Sequence, residues 1–411
     1  MAERTFQKSE NEFARALKVI AEGTTQARTP STLIPGAYPI FGAKGKGAYI
    51  WDVDGNKYID WILSFGTIVL GHSHPVVNEA VIKEIEEGFA LPLTRLIQTE
   101  LAELLVKIIP CAEKVLFVKT GSEATSAAVR LARIATGREK IIRLGYNGWH
   151  DWCCKVTPGI PKSVLDQTLK FEYNNLDSLK DLFVMYPEQI AGVIMWPCEV
   201  DIPDPGFLEG VRDLTHQNGA LFILDEIRTG FHLSLGGAQE YWNIIPDLAT
   251  FGKAMSNGYA ISAVVGRAKY MNNVGKSWFS STFNTNSIDQ AAAVATIRYM
   301  QKRDVIGHEW KIGKQFQDGI DSLATTVGVE MMSVSLPPTP FVEFNYADPE
   351  IQKTAKHVFF SEAAQQGVFF HPDHHWFVSA SHGVEELNHT LEACEAAMRK
   401  VKDALGRGYR I

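Results

Sequence analysis

Short apolar runs alternate with stretches of helical period through the middle of this 411-residue chain. The runs cover 115–118, 140–144, 190–196, 220–224, 248–251 and 261–265, and most of them are apolar on nearly every position rather than on every second one. A strand buried on both faces has that signature, because neither face meets water. Between the runs, 126–135 and 206–217 repeat apolar residues at helical spacing and predict helices that cover the sheet. An α/β fold with a mainly parallel sheet between helices follows.

The ends of the chain read differently. Phe6, Phe13, Leu17 and Ile20 predict an amphipathic first helix, and 23–47, rich in Gly, Pro and Thr, reads as an extended loop. Residues 48–52 and 57–61 flank Asp54-Gly55, a dipeptide that predicts a hairpin because glycine accepts positive φ. Towards the C-terminus, helices are expected at 289–302 and 385–405 and short strands at 341–345 and 376–379. The expected organisation is an N-terminal segment 1–60, a large domain 61–295 and a C-terminal part 296–411, the two end segments forming one smaller α+β unit.

Composition narrows the function classes. Hydrophobic residues at 45% and charged residues at 21% suit a globular enzyme. A net charge of −7 with scattered Lys and Arg argues against a nucleic-acid partner. Five cysteines without a C-x-x-C spacing suggest neither a disulfide framework nor a zinc site, and Cys153 and Cys154 read as packing residues. The N-terminus lacks an apolar leader, and no window approaches the ~18 apolar residues of a membrane span, so a cytoplasmic protein is expected.

In a parallel sheet, ligands sit beyond the carboxyl ends of the strands, so the residues just after each run are the candidates. The run 220–224 ends in Asp225-Glu226, and the run 248–251 is followed by Gly252 and Lys253. A carboxylate and an amine delivered in this way are what a pyridoxal 5′-phosphate (PLP) site requires. The amine forms a Schiff base with the aldehyde, and the carboxylate keeps the pyridine nitrogen protonated. After the first run, Thr120 with Glu123 fits a capping box, and Gly121 and Ser122 open a helix whose N-terminus suits a phosphate or is an ordinary cap. After the second comes Gly145-Tyr146-Asn147-Gly148, an aromatic placed to stack on a flat ring or to line the core. Glu199 follows the third run, and the hydroxyl-rich segment 278–283 precedes an Ala-rich helix.

Several rivals fail on their own terms. Four apolar residues before Asp225-Glu226 also describe a nucleotide-hydrolase strand, but no Gly-x-x-x-x-Gly-Lys-Ser/Thr segment accompanies it. Gly42–Gly47 imitates a glycine-rich loop without the strand and helix that such a loop joins, and no strand-linked G-x-G-x-x-G supports a dehydrogenase. His371, His374 and His375 have no H-E-x-x-H spacing, so no metal is expected there. No G-x-S-x-G elbow occurs.

Taken in order, these segments resemble the class III PLP-dependent aminotransferases of fold-type I, closest to the glutamate-1-semialdehyde 2,1-aminomutase branch. The likeness is carried by 47–60, 70–75, 121–125, 146–152, 223–231 and 251–258. It implies a large domain with a mostly parallel seven-stranded type of sheet and a small α+β domain. It also implies roles: Lys253 as the Schiff-base lysine and acid–base, Asp225 as the pyridinium partner, Ile227 beneath the ring, Tyr146 stacked above it, and Gly121 and Ser122 in the phosphate cup. Thr282 matches a threonine that reaches the phosphate from a second subunit, which implies a homodimer with shared sites. Arg28 matches a carboxylate-binding arginine of the aminomutase, and Glu199 a residue of the substrate pocket. Two departures stand out: Asn147 replaces the family's usual histidine after the aromatic, and 199–203 replaces a Glu-Pro-Val segment. The implied activity is transfer of an amino group from a small-molecule donor to a keto or aldehyde acceptor. The alternatives are the intramolecular aminomutase reaction and amination of a sugar or nucleotide-sugar ketone.

Overall fold

The computed structural model describes residues 4–25 and 32–409 and divides into two compact units, one of 1–74 with 307–411 and one of 75–306. In the first unit, strands β1 (Gly42–Lys46), β2 (Tyr49–Asp52) and β3 (Lys57–Asp60) form an antiparallel meander, and Val368–Phe369 joins β3 in parallel. The β2–β3 turn is the expected Asp54-Gly55 hairpin, with Gly55 at φ 94°. β1 corrects the reading of 23–47 as loop throughout: its glycines and lysines give no apolar signal, and its order comes from pairing with β2.

Helices Pro349–Gln365 and Val384–Gly406 flank this unit's aromatic core, in which Trp61, Phe316, Phe359, Phe360, Phe370 and Trp376 are buried. The stacked Phe370 and Trp376 rings lie 3.8 Å apart. The expected strand at 376–379 does not form. Its amides bond instead to three separated carbonyls: Trp376 to Pro340, Phe377 to Trp61 and Val378 to Pro338. Extended backbone shared among several partners makes no continuous ladder.

The second unit carries a seven-stranded sheet of β4 (Lys114–Val118), β5 (Lys140–Leu144), β6 (Thr168–Lys170), β7 (Ile190–Met195), β8 (Leu221–Asp225), β9 (Leu248–Phe251) and β10 (Ser262–Gly266). The spatial order is β4-β10-β9-β8-β7-β5-β6; β10 is antiparallel to both neighbours and the remaining pairs are parallel. Every residue of β7, β8, β9 and β10 is buried, which is why their sequences run apolar without alternation. Helix α1 (Gly121–Thr136) presents Ala124, Ala127, Ala128 and Leu131 to Ile141, Ile194, Ile223 and Val264 of the sheet. Its small side chains let the helix approach closely. Helices α2 (Phe207–Gln217) and α3 (Ser287–Arg303) belong to the same unit. Among the described residues, no helix is long and apolar enough to cross a membrane.

Candidate active site

The register of β8 against β9 places Asp225 beside Thr250. The Asp225 carboxylate is buried and held by three donors. Asn147 Nδ2 donates to Oδ2 over 2.9 Å, while Thr250 Oγ1 and the Ile227 amide donate to Oδ1 over 3.1 and 3.2 Å. Burial pushes this carboxyl above its ordinary range; the three donors and the Lys253 charge pull it back down. Glu226 points elsewhere. It accepts from the amides of Ala238 and Gln239, at 2.8 and 2.9 Å, and from the Thr229 hydroxyl, and so braces the chain after β8. Of the two neighbouring acids, one fixes a loop and the other is left at the strand end.

Ile227 links three parts of the site. A Cβ placed on Gly121 would lie 3.2 Å from Ile227 Cγ2, and one on Gly252 3.1 Å from its Cδ1. The isoleucine therefore sits between the start of α1 and the residue before Lys253, and a side chain added at either glycine would press on it. At that start, Thr120 and Glu123 form the expected capping box, with Glu123 Oε2 accepting from the Thr120 amide at 2.8 Å and Thr120 Oγ1 from the Glu123 amide at 3.3 Å. Ser122 Oγ accepts from the Trp149 amide over 3.3 Å, and a Cβ on Gly148 would fall 2.5 Å from Ser122 Oγ. The turn after β5 is thereby pressed onto the α1 N-terminus, a dipole end suited to an anion.

Lys253 follows β9 with φ 42°, a left-handed conformation that costs a lysine about 1 kcal/mol or more and is typical of constrained functional positions. Burial pulls its amine down to about 8; the nearby Arg228 charge acts in the same direction, and Asp225 and Glu199 act against it. Arg228 is itself buried, bonds to the Cys198 carbonyl and lies 5.8 Å from the Trp196 ring centroid. Glu199 is half-buried; burial raises its carboxyl while the Arg228, Lys155 and Lys253 charges lower it.

Gly121, Ser122, Asp225, Ile227 and Lys253 are thus brought together, with Tyr146 on the same turn as Asn147 and half exposed. Thr282 is exposed in the turn before α3 and makes no hydrogen bond to those five among the described residues. Arg28 lies outside the described residues. Asn147, Thr250 and Arg228 join the site through contacts that the strand pattern does not show. Thr250 carried a signal, a hydroxyl inside an otherwise apolar run, whereas Arg228 reads as a surface residue until its burial is seen.

Residues 35–405 match the family described as aminotransferase class-III. The chain belongs to that family. It is 39% identical to the 3-aminobutyryl-CoA aminotransferase of Cloacimonas acidaminovorans, over 96% of this chain and 97% of that one. It is 35% identical to the glutamate-1-semialdehyde 2,1-aminomutase of Desulfitobacterium hafniense, over 96% and 99%. The FumI protein of Sphingopyxis sp. MTA144, solved in a PLP form, superposes with a TM-score of 0.92 at 28% identity, covering 97% of this chain and 98% of that one. Class-III aminotransferases are PLP-dependent enzymes that use small-molecule amino donors and acceptors, and the fold-type I architecture is shared. The site fits PLP on its own chemistry. It offers a three-donor buried anion for a cationic ring nitrogen, an amine of lowered pKa for an aldehyde and a capped helix N-terminus for a phosphate.

Proposed function

We propose that this aminotransferase holds PLP with Lys253, Asp225, Ile227, Tyr146, Gly121 and Ser122, and that Lys253 is its catalytic base. Bound PLP supplies an electron sink that makes the hydrogen on the amino-bearing carbon acidic. Lys253 Nζ would hold the cofactor's aldehyde carbon at rest and, once the donor's amine has displaced it from that carbon, would be free to move that hydrogen as a proton, which its lowered pKa suits near neutrality. Asp225 would keep the ring nitrogen protonated, and Ile227 and Tyr146 would pack against the ring. The α1 N-terminus with Ser122 anchors the phosphate. The observation that carries the reading is Asp225, a buried carboxylate held ready by three donors beside a depressed lysine.

Incubation with PLP, borohydride reduction and peptide mass mapping should place one phosphopyridoxyl group on Lys253, and Lys253→Ala should abolish both label and turnover. A label on another lysine, or an active Lys253→Ala enzyme, sinks the assignment. For substrates, the relative at 39% identity makes a β-amino thioester the first donor to test. The aminomutase reading draws on the relative at 35% identity. Turnover that demands a second carbonyl compound favours the aminotransferase, and turnover of an amino aldehyde alone favours the mutase.

We also propose a homodimer in which Thr282 reaches the partner's phosphate site. Support comes from the exposed apolar residues Trp278 and Phe283 on either side of Thr282 and Leu93 and Leu96 in a neighbouring segment. Contacts of Thr285 and Ser287 with the Leu91 and Phe89 carbonyls tie the two segments together. A cytoplasmic location accords with five cysteines that are all free.

A further inference from the structure

Asn147 follows β5, is 2% exposed, and directs its Nδ2–H at Asp225 Oδ2 over 2.9 Å. A carboxylate only accepts hydrogen bonds, so this contact fixes which end of the amide faces it. The other end, Oδ1, is then buried with no hydrogen-bond partner among the described residues. An unsatisfied buried carbonyl carries a penalty, and the charge-assisted bond to Asp225 holds the amide in place against it. The backbone is pinned as well: the Asn147 carbonyl accepts from Thr125 Oγ1 of α1 over 2.6 Å and from Cys153 Sγ over 3.5 Å.

We propose that Asn147 is a positioning residue, a non-titrating clamp that keeps Asp225 ionised and in one orientation for the cofactor ring. This role rests on the assignment of Asp225 above, and where the family usually has a histidine it places an amide that donates a hydrogen bond but does not titrate. The surroundings of Asp225 leave few other groups to titrate. Thr250 and the Ile227 amide are neutral donors, and Lys253 is the nearby cation. Tyr146 and Cys153 face it from the turn after β5; burial raises both, the thiol to about 12, so both stay neutral at physiological pH. Without the Asn147 donor, burial of Asp225 is less opposed, its pKa rises further, and it takes up a proton at higher pH.

The test is the dissociation constant of PLP from the apo-protein, read by tryptophan quenching, for wild type, Asn147→Ala and Asn147→His at about pH 6 and about pH 8. The ratio of each variant to wild type removes the cofactor's own titration. Asn147→Ala should weaken binding by about tenfold at the higher pH, as expected for loss of one hydrogen bond to a charged group, and by more at the lower. Asn147→His retains an N–H donor and gains charge below ~6.5, so its ratio should improve as pH falls, the opposite slope to alanine. Should the alanine variant fail to fold, the slope of the histidine variant alone decides. An alanine ratio near one, or a histidine ratio that does not improve on acidification, overturns the clamp. Borohydride labelling of Lys253 in the same samples separates the two claims. Label retained in wild type with those ratios removes only the role of Asn147, whereas label absent from wild-type Lys253 removes the site assignment itself.

Discussion

The Lys253 amine is shaped by a cation that the strand pattern does not reveal. Burial and then Arg228 draw its pKa down to about 8. Because the depressed amine loses its proton as pH rises through that value, and only the free amine attacks an aldehyde, uptake of PLP by apo-enzyme should accelerate through about pH 8. Arg228→Met removes a like charge, so the Lys253 pKa should rise and the midpoint of the rate profile should move up by roughly half to one unit. Stopped-flow uptake across the pH range measures this; an unmoved midpoint would take Arg228 out of the account. Lys253 and Asp225 were legible because each ends an apolar run, and a run's end is a local property. Asn147 and Thr250 were not, since their contacts to Asp225 span 78 and 25 positions and depend on which strands neighbour which. Burial gives Arg228 its effect, and an isolated Arg after Asp-Glu-Ile does not announce burial.

Elements were legible where burial imposes a pattern and illegible where geometry alone holds the chain. The central strands wrote themselves into the sequence as apolar runs. The three-residue β6, half-buried at the sheet edge, did not. The turn after β3 shows the same limit. Leu63, Ser64 and Phe65 adopt φ of 48°, 53° and 62° before Gly66 at 82°, three consecutive non-glycine residues in left-handed backbone. Nothing in Leu-Ser-Phe predicts it. Asp60 provides one physical cause, since its Oδ1 accepts from the Ile62 and Leu63 amides at 2.9 and 3.0 Å and its Oδ2 pairs with His72 Nε2 at 2.8 Å. Left-handed backbone costs an L-residue about 1–2 kcal/mol, and glycine's greater freedom when unfolded returns about 0.5–1 of that. Ser64→Gly should therefore stabilise the protein by about 0.5–1 kcal/mol in denaturant melts. Asp60→Ala, which removes three contacts at once, should destabilise it. A destabilising glycine would mean that the turn is not strained at Ser64.

At the scale of the whole molecule, the proposed homodimer assigns one expected site residue to a second copy of the chain. Thr282 is exposed and remote in bonding from Asp225 and Lys253, and Trp278 beside it is 88% exposed, a position an indole rarely keeps in water. If each active site joins Lys253 of one protomer to Thr282 of its partner, then two inactive variants should rescue one another. Lys253→Ala lacks the amine but keeps the threonine; Thr282→Asp keeps the amine but sets a carboxylate against the phosphate. Unfolded and refolded together, half of the dimers should be mixed, and in each mixed dimer one site receives an intact lysine and an intact threonine while the other receives neither. By the two-fold symmetry of such an interface, activity should return to roughly a quarter of wild type. Each variant refolded alone should stay near zero. Sites built within a single chain give a different result, because no pairing of the two variants then assembles a complete set of residues and the mixture stays as inactive as its parts.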